Sequence, residues 1–222
     1  MSKTIWIIAN WKSNKTISEV LDWISKVGPE IPQDEGFKVV VCPTFSALSE
    51  VKKAITVGNF PLLLGAQDLS PFGTGAYTGE ETASLLKDFI SLSIIGHSER
   101  RSNFSETDEI VNKKIGESLR EGIKPIVCVS NIGQVRSLVP GNYIIAYEPI
   151  SAIGTGNPED PNTVLSIIKQ IKEIKDTEVL YGGSVNPQNI KDYTSLDNIS
   201  GVLVGNSSLD AELFLNLIKN AE

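Results

Sequence analysis

The sequence predicts an α/β fold, a closed eight-stranded parallel (β/α)8 barrel. Three observations predict it. Eight short β-branched runs recur along the 222 residues. They alternate with helical patterns, and most are apolar nearly throughout, as strands covered on both faces are.

The first run, "TIWIIAN" (4–10), is followed by a helical pattern in "SEVLDWISKV" (18–27). "FKVVVC" (37–42) leads to "FSALSEVKKAI" (45–55), and "FPLLLGA" (60–66) leads through a long loop to "TASLLKDF" (82–89). "ISLSIIG" (90–96) opens a short polar turn before "TDEIVNKKIGESLREG" (107–122). "KPIVCVS" (124–130) precedes "NIGQVRSLVPG" (131–141), the weakest helix signal of the set. "NYIIAYE" (142–148) precedes the clearest helix, 161–175, where Val164, Ile167, Ile168, Ile171 and Ile174 fall at helical spacing. "TEVLYG" (177–182) leads to "PQNIKDY", where Asn186 and Pro187 read as N-cap and first helical residue. "ISGVLVG" (199–205) leads to "LDAELFLNLIKN". An open doubly wound sheet is the other parallel solution, but eight units at this spacing fit the closed barrel better. With no linker or composition shift, residues 1–222 read as one barrel domain.

Composition narrows the function. A net charge of −7 without a basic run argues against nucleic acid and anionic membrane as partners. No apolar stretch has membrane-spanning length, and the N-terminus lacks a cleavage signature. Cys42 and Cys128 sit in apolar runs without metal-type spacing and read as buried thiols. The chain is expected to be reduced, soluble and cytoplasmic.

In a (β/α)8 barrel the loops after the strand C-termini carry function. Asn10, Trp11 and Lys12 follow the first run. His97, the only histidine of the chain, follows the fourth, with Glu99 two residues on; imidazole is suited to proton work near neutral pH. Glu148 ends the sixth, ahead of a glycine-punctuated segment with the makings of a lid. "YGGSV" and "VGNSS" end the seventh and eighth, where this fold habitually binds phosphate. Taken singly, each has an ordinary reading: a solvated lysine, a satisfied histidine, a salt-bridged carboxylate, a tight turn. Together they point to proton chemistry on a small phosphorylated compound. No metal cluster, Rossmann fingerprint or P-loop is evident, so neither metal nor cofactor is expected.

"ANWKSNK", "IIGHSERR", "AYEPISAIGTG" and "YGGSV" stand in an order and placement that resembles the triosephosphate isomerase family, in particular its shorter, archaeal-type members. The resemblance covers essentially the whole chain. It implies interconversion of dihydroxyacetone phosphate and glyceraldehyde 3-phosphate, without a cofactor, in glycolysis and gluconeogenesis. It also implies Glu148 as the base and His97 as a neutral electrophile whose pKa a helix N-terminus lowers. By the same resemblance Lys12 would supply a fixed charge, Asn10 a donor beside it, and Glu99, next to Lys12, would help position the catalytic groups. Backbone N–H groups of Gly154, Ser184, Gly205 and Asn206 would hold the phosphate, under a lid of residues 149 to 156. "AYTGE", in the 67–80 loop, resembles the protrusion through which family members self-associate, with Thr78 near the partner's site, so a homodimer or homotetramer is implied. Three departures stand out: Ser151 where the lid usually has tryptophan, Asn206 where a second glycine is usual, and a shortening around 131–141.

Two other readings compete. A phosphate-binding barrel lyase or synthase would share only the last two loops. A catalytically dead phosphate sensor or scaffold would lack an acid–base residue or the lid glycines, and this chain has them all.

Overall fold

The computed structural model describes residues 4–33, 36–152, 154 and 156–221. Eight parallel strands close in sequence order into a barrel: β1 (Ile5–Asn10), β2 (Phe37–Cys42), β3 (Leu62–Ala66), β4 (Leu92–Ile95), β5 (Lys124–Val129), β6 (Ile144–Tyr147), β7 (Val179–Tyr181) and β8 (Gly201–Val204). Every predicted run contains one of them. The barrel closes through β1 and β8, where Trp6 pairs with Gly201 and Ala9 with Val204.

The helices described around it are α1 (Ile17–Val27), α2 (Leu48–Gly58), α3 (Ala83–Leu86), α4 (Ser98–Asn103), α5 (Asp108–Arg120), α6 (Ile132–Ser137), α7 (Pro161–Ile174), α8 (Ile190–Thr194) and α9 (Ala211–Lys219). Thr16 caps α1 in a capping box with Glu19, satisfying two orphan backbone donors at once. Asp160 caps α7, accepting from Asn162 and Thr163, with Pro161 next. The helix expected after the seventh strand has Asn189 as its N-cap, three residues later than Asn186. The Asn186 side chain caps the turn leading in, accepting from Gln188 N–H at 2.9 Å. The polar turn after the fourth strand is in fact the short helix α4.

Strand alternation sorts the core into two layers. Trp6, Ile8, Val40, Cys42, Leu92, Ile94, Ile126, Cys128, Ile144, Ala146, Leu180 and Leu203 cluster inside the barrel. The opposite parity, including Ile7, Val39, Ile95, Val127, Ile145 and Val202, packs outward among the helices. Both cysteine thiols are buried, and burial pushes them up. The inward parity continues past the strand ends: Asn10 follows Trp6 and Ile8, Glu148 follows Ile144 and Ala146, and Gly205 follows Leu203. The side chains that close the barrel mouth therefore come from the same register that fills it. No described helix is long and apolar enough to cross a membrane.

Candidate active site

A cavity of about 160 Å³ opens at the C-terminal ends of the strands. It is lined by Asn10, Lys12, His97 and Glu148 together with residues 182–184, Gly205 and Asn206. Asn10, His97 and Glu148 are only 5%, 6% and 2% exposed. Burying a carboxylate and an imidazole together is costly unless each finds a partner, and here each does.

His97 reaches the cavity because Gly96 turns the chain. Inward parity in β4 would place residue 96 over the barrel, but Gly96 takes φ +70, a left-handed conformation open to glycine. A Cβ there would come within 2.8 Å of Val111. His97 then caps α4 with its ring: Nδ1 accepts from Glu99 N–H at 3.2 Å. A nitrogen that accepts carries no proton, so the neutral ring holds its proton on Nε2. Nε2 lies 3.1 Å from Glu148 Oε1. The other oxygen of Glu148 accepts from Ser98 N–H at 3.1 Å, within the positive end of the same helix.

The expected lowering of His97 is not what this arrangement produces. Burial opposes the charged ring, but the Glu148 carboxylate and its hydrogen bond outweigh it, so the net direction is upward. The physical reason is the resting place of Glu148: its carboxylate lies against the imidazole and favours the charged form of the ring.

Lys12 has φ +53, strained for a side-chain-bearing residue. Its amide donates to Asn10 Oδ1 at 3.1 Å, and its carbonyl accepts from Gln67 Nε2 at 2.9 Å. The lysine chain crosses over Gly205, with Cε 3.4 Å from where a Cβ would stand, and its ammonium pairs with Glu99. The two glycine loops are laced to the rest of the mouth. Ser207 Oγ donates to Val185 O at 2.8 Å, joining them. The Trp11 and Trp23 indoles both donate to Ser208 O, at 3.2 and 3.1 Å. Asn206 starts a 3-10 turn without a left-handed φ. Its side chain is therefore accommodated, and its amide stays available.

The structure thus brings Asn10, Lys12, His97, Glu99 and Glu148 together, and Ser184, Gly205, Asn206 and Gly154 line the same cavity. Of the expected lid, Ile153 and Thr155 lie outside the described residues. Ile150 is 74% exposed, whereas Ala152 is buried and its carbonyl accepts from Ser184 Oγ at 2.6 Å. Sequence reasoning missed the Ser98 amide and Gln67. The first is a backbone group with no sequence signal; the second, just past β3, could have been found by strand-end position. Among the described residues, no group of three His, Cys, Asp or Glu is placed to hold a metal ion.

A carboxylate on an imidazole, a fixed ammonium and two glycine loops in one barrel mouth define a site for proton transfer on a small anion. The Triosephosphate isomerase family profile matches residues 5–221. Triosephosphate isomerase of Alkaliphilus oremlandii is 40% identical over 96% of this chain and 97% of its own length. That of Dehalococcoides mccartyi is 38% identical over 99% and 97%, and that of Dictyoglomus thermophilum 39% over 96% and 98%. The chain belongs to the triosephosphate isomerase family. That membership sets aside both the lyase and the scaffold readings. The Alkaliphilus alignment spans 244 positions against 222 residues, so gaps fall inside the aligned span.

Proposed function

We propose that the protein interconverts dihydroxyacetone phosphate and D-glyceraldehyde 3-phosphate through an enediolate, as a cytoplasmic enzyme of glycolysis and gluconeogenesis. The observation that carries the reading is the buried Glu148–His97 pair, 3.1 Å apart, lining one cavity with the two glycine loops. Glu148 leaves its Ser98 anchor, takes the proton from one carbon and returns it to the neighbouring one. The Nε2–H of His97, freed of the carboxylate, donates to the substrate oxygens. Lys12 and Asn10 stabilise the negative charge that develops on them. Glu99 holds the lysine in place. Amides of Gly154, Ser184, Gly205 and Asn206 bind the phosphate, and the lid of 149 to 156 keeps water out.

We read residues 1–222 as one barrel domain that self-associates through the 67–80 loop. The stacked pair Phe72 and Tyr77 supports this, with ring centroids 4.3 Å apart and 41% and 43% exposed. Thr78 beside them is exposed. Sedimentation equilibrium should return a dimer or tetramer, and a monomer at micromolar concentration would remove this part of the proposal.

The activity is tested by following glyceraldehyde 3-phosphate conversion in an NADH-coupled assay that consumes dihydroxyacetone phosphate. Fast turnover is expected. A folded protein that leaves both triose phosphates unchanged would overturn the reading.

A further inference from the structure

The lid segment is held at its far end by one residue with three bonds. Glu159 N–H donates to the Tyr181 hydroxyl at 2.9 Å, and Glu159 O accepts from the Tyr193 hydroxyl at 2.6 Å. Its carboxylate accepts from the Tyr147 hydroxyl at 3.3 Å, the loosest of the three. Tyr147 stands immediately before Glu148 on β6, Tyr181 ends β7 immediately before the first glycine loop, and Tyr193 lies on α8. The Tyr181 and Tyr193 rings stack at 4.3 Å, so the two backbone bonds come from a single rigid unit. Burial, with Glu159 behind it, pushes Tyr147 up to about 12, so its hydroxyl stays protonated and donates.

On either side of Glu159 the chain changes character. Asp160 and Pro161 lock the start of α7. Upstream, Gly154 and Gly156 take φ of +68 and +75 with open space around them. Residue 159 therefore joins the capped start of α7 to the glycine-bearing segment upstream. Its side chain alone reaches back to the strand that carries the base. The backbone bonds would survive a change of side chain, whereas the carboxylate bond would not.

We propose that Glu159 is a positioning residue for the isomerisation: its carboxylate, through the Tyr147 hydroxyl, ties the far hinge of the lid to the strand bearing Glu148, so that lid and base seat together. The inference rests on the isomerase reading above. A poorly seated lid leaves the enediolate free to lose phosphate. In that side reaction the oxyanion collapses to a carbonyl, the double bond shifts, and the C3–O bond breaks with its electron pair leaving on phosphate. The remaining enol tautomerises to 2-oxopropanal.

The test compares Glu159→Ala, Glu159→Gln and Tyr147→Phe with wild type, measuring kcat, KM and inorganic phosphate released per isomerisation event. That ratio is independent of how much protein is folded. A lost hydrogen bond to a charged group corresponds to roughly a tenfold effect. Glu159→Ala should therefore lower kcat about tenfold and raise phosphate release by a similar factor. Glu159→Gln, which keeps an acceptor oxygen for Tyr147, should recover most of both. Tyr147→Phe should match Glu159→Ala, and the double variant should be no worse than either single one. An unchanged phosphate ratio in Glu159→Ala, or effects that add in the double variant, would overturn the inference. An inactive wild type would instead overturn the isomerase reading on which it rests.

Discussion

At the scale of single residues, His97 shows how a neighbour can reverse an intrinsic tendency. Its position just past β4 was readable from the sequence, and the N-terminus of α4 that the structure adds there disfavours a charged ring. What no sequence pattern reveals is that Glu148 rests on Nε2, 3.1 Å away. Burial pulls His97 down and the carboxylate more than compensates, so its folded-state value lies above the usual one. A raised folded value stabilises the protein fully below the unfolded value of about 6.5, and that contribution disappears as pH rises through the folded value. Because His97 is the only histidine, one imidazole NMR signal reports it. In wild type it should titrate above about 6.5, and in Glu148→Gln its midpoint should move down. A midpoint that the substitution leaves unmoved would contradict the pairing.

At the scale of elements, all eight strands and the long helices were legible because burial wrote them as apolar runs and stripes. α4 was not. None of its six residues is buried, so it has no stripe to read, and its cap is an imidazole in place of the usual Ser, Thr, Asp or Asn. α5 carried a signal that went unread. Its buried face is Val111, Lys114, Ile115 and Ser118, so a lysine occupies a core position at helical spacing. Lysine is buried only with partners, and Lys114 is 3% exposed. It lies 2.7 Å from Asp68 and pairs also with Glu106, both of which Arg100 of α4 contacts too. This network fastens α4 and α5 to the loop after β3. Lys114→Met would leave two buried carboxylates sharing one arginine. Removing one partner of a buried pair costs about 3–5 kcal/mol, and the low end applies because Arg100 remains. Thermal unfolding should show a midpoint lower by on the order of 10 °C, and an unchanged midpoint would mean the network contributes nothing to stability.

At the scale of the whole molecule, the barrel turns strand parity into chemistry. Asn10 and Glu148 sit at the mouth because they continue the inward register of β1 and β6, and that could be counted from the sequence. His97 obeys no such count, since Gly96 resets the register with a left-handed turn. That these residues gather at one barrel mouth was therefore legible, and their geometry there only partly so. The loop proposed for self-association was legible as a run rich in Gly, Pro and Ser between β3 and α3, and the structure adds an exposed Phe72–Tyr77 stack within it. The central claim is that Glu148 moves the proton. The direct measurement is turnover of glyceraldehyde 3-phosphate by wild type and Glu148→Gln side by side, with the affinity of each for a phosphorylated substrate analogue measured in parallel. Loss of a positioned base should lower kcat by at least ~100-fold while analogue binding through the phosphate loops persists. A Glu148→Gln variant that turns over as fast as wild type would contradict the assignment.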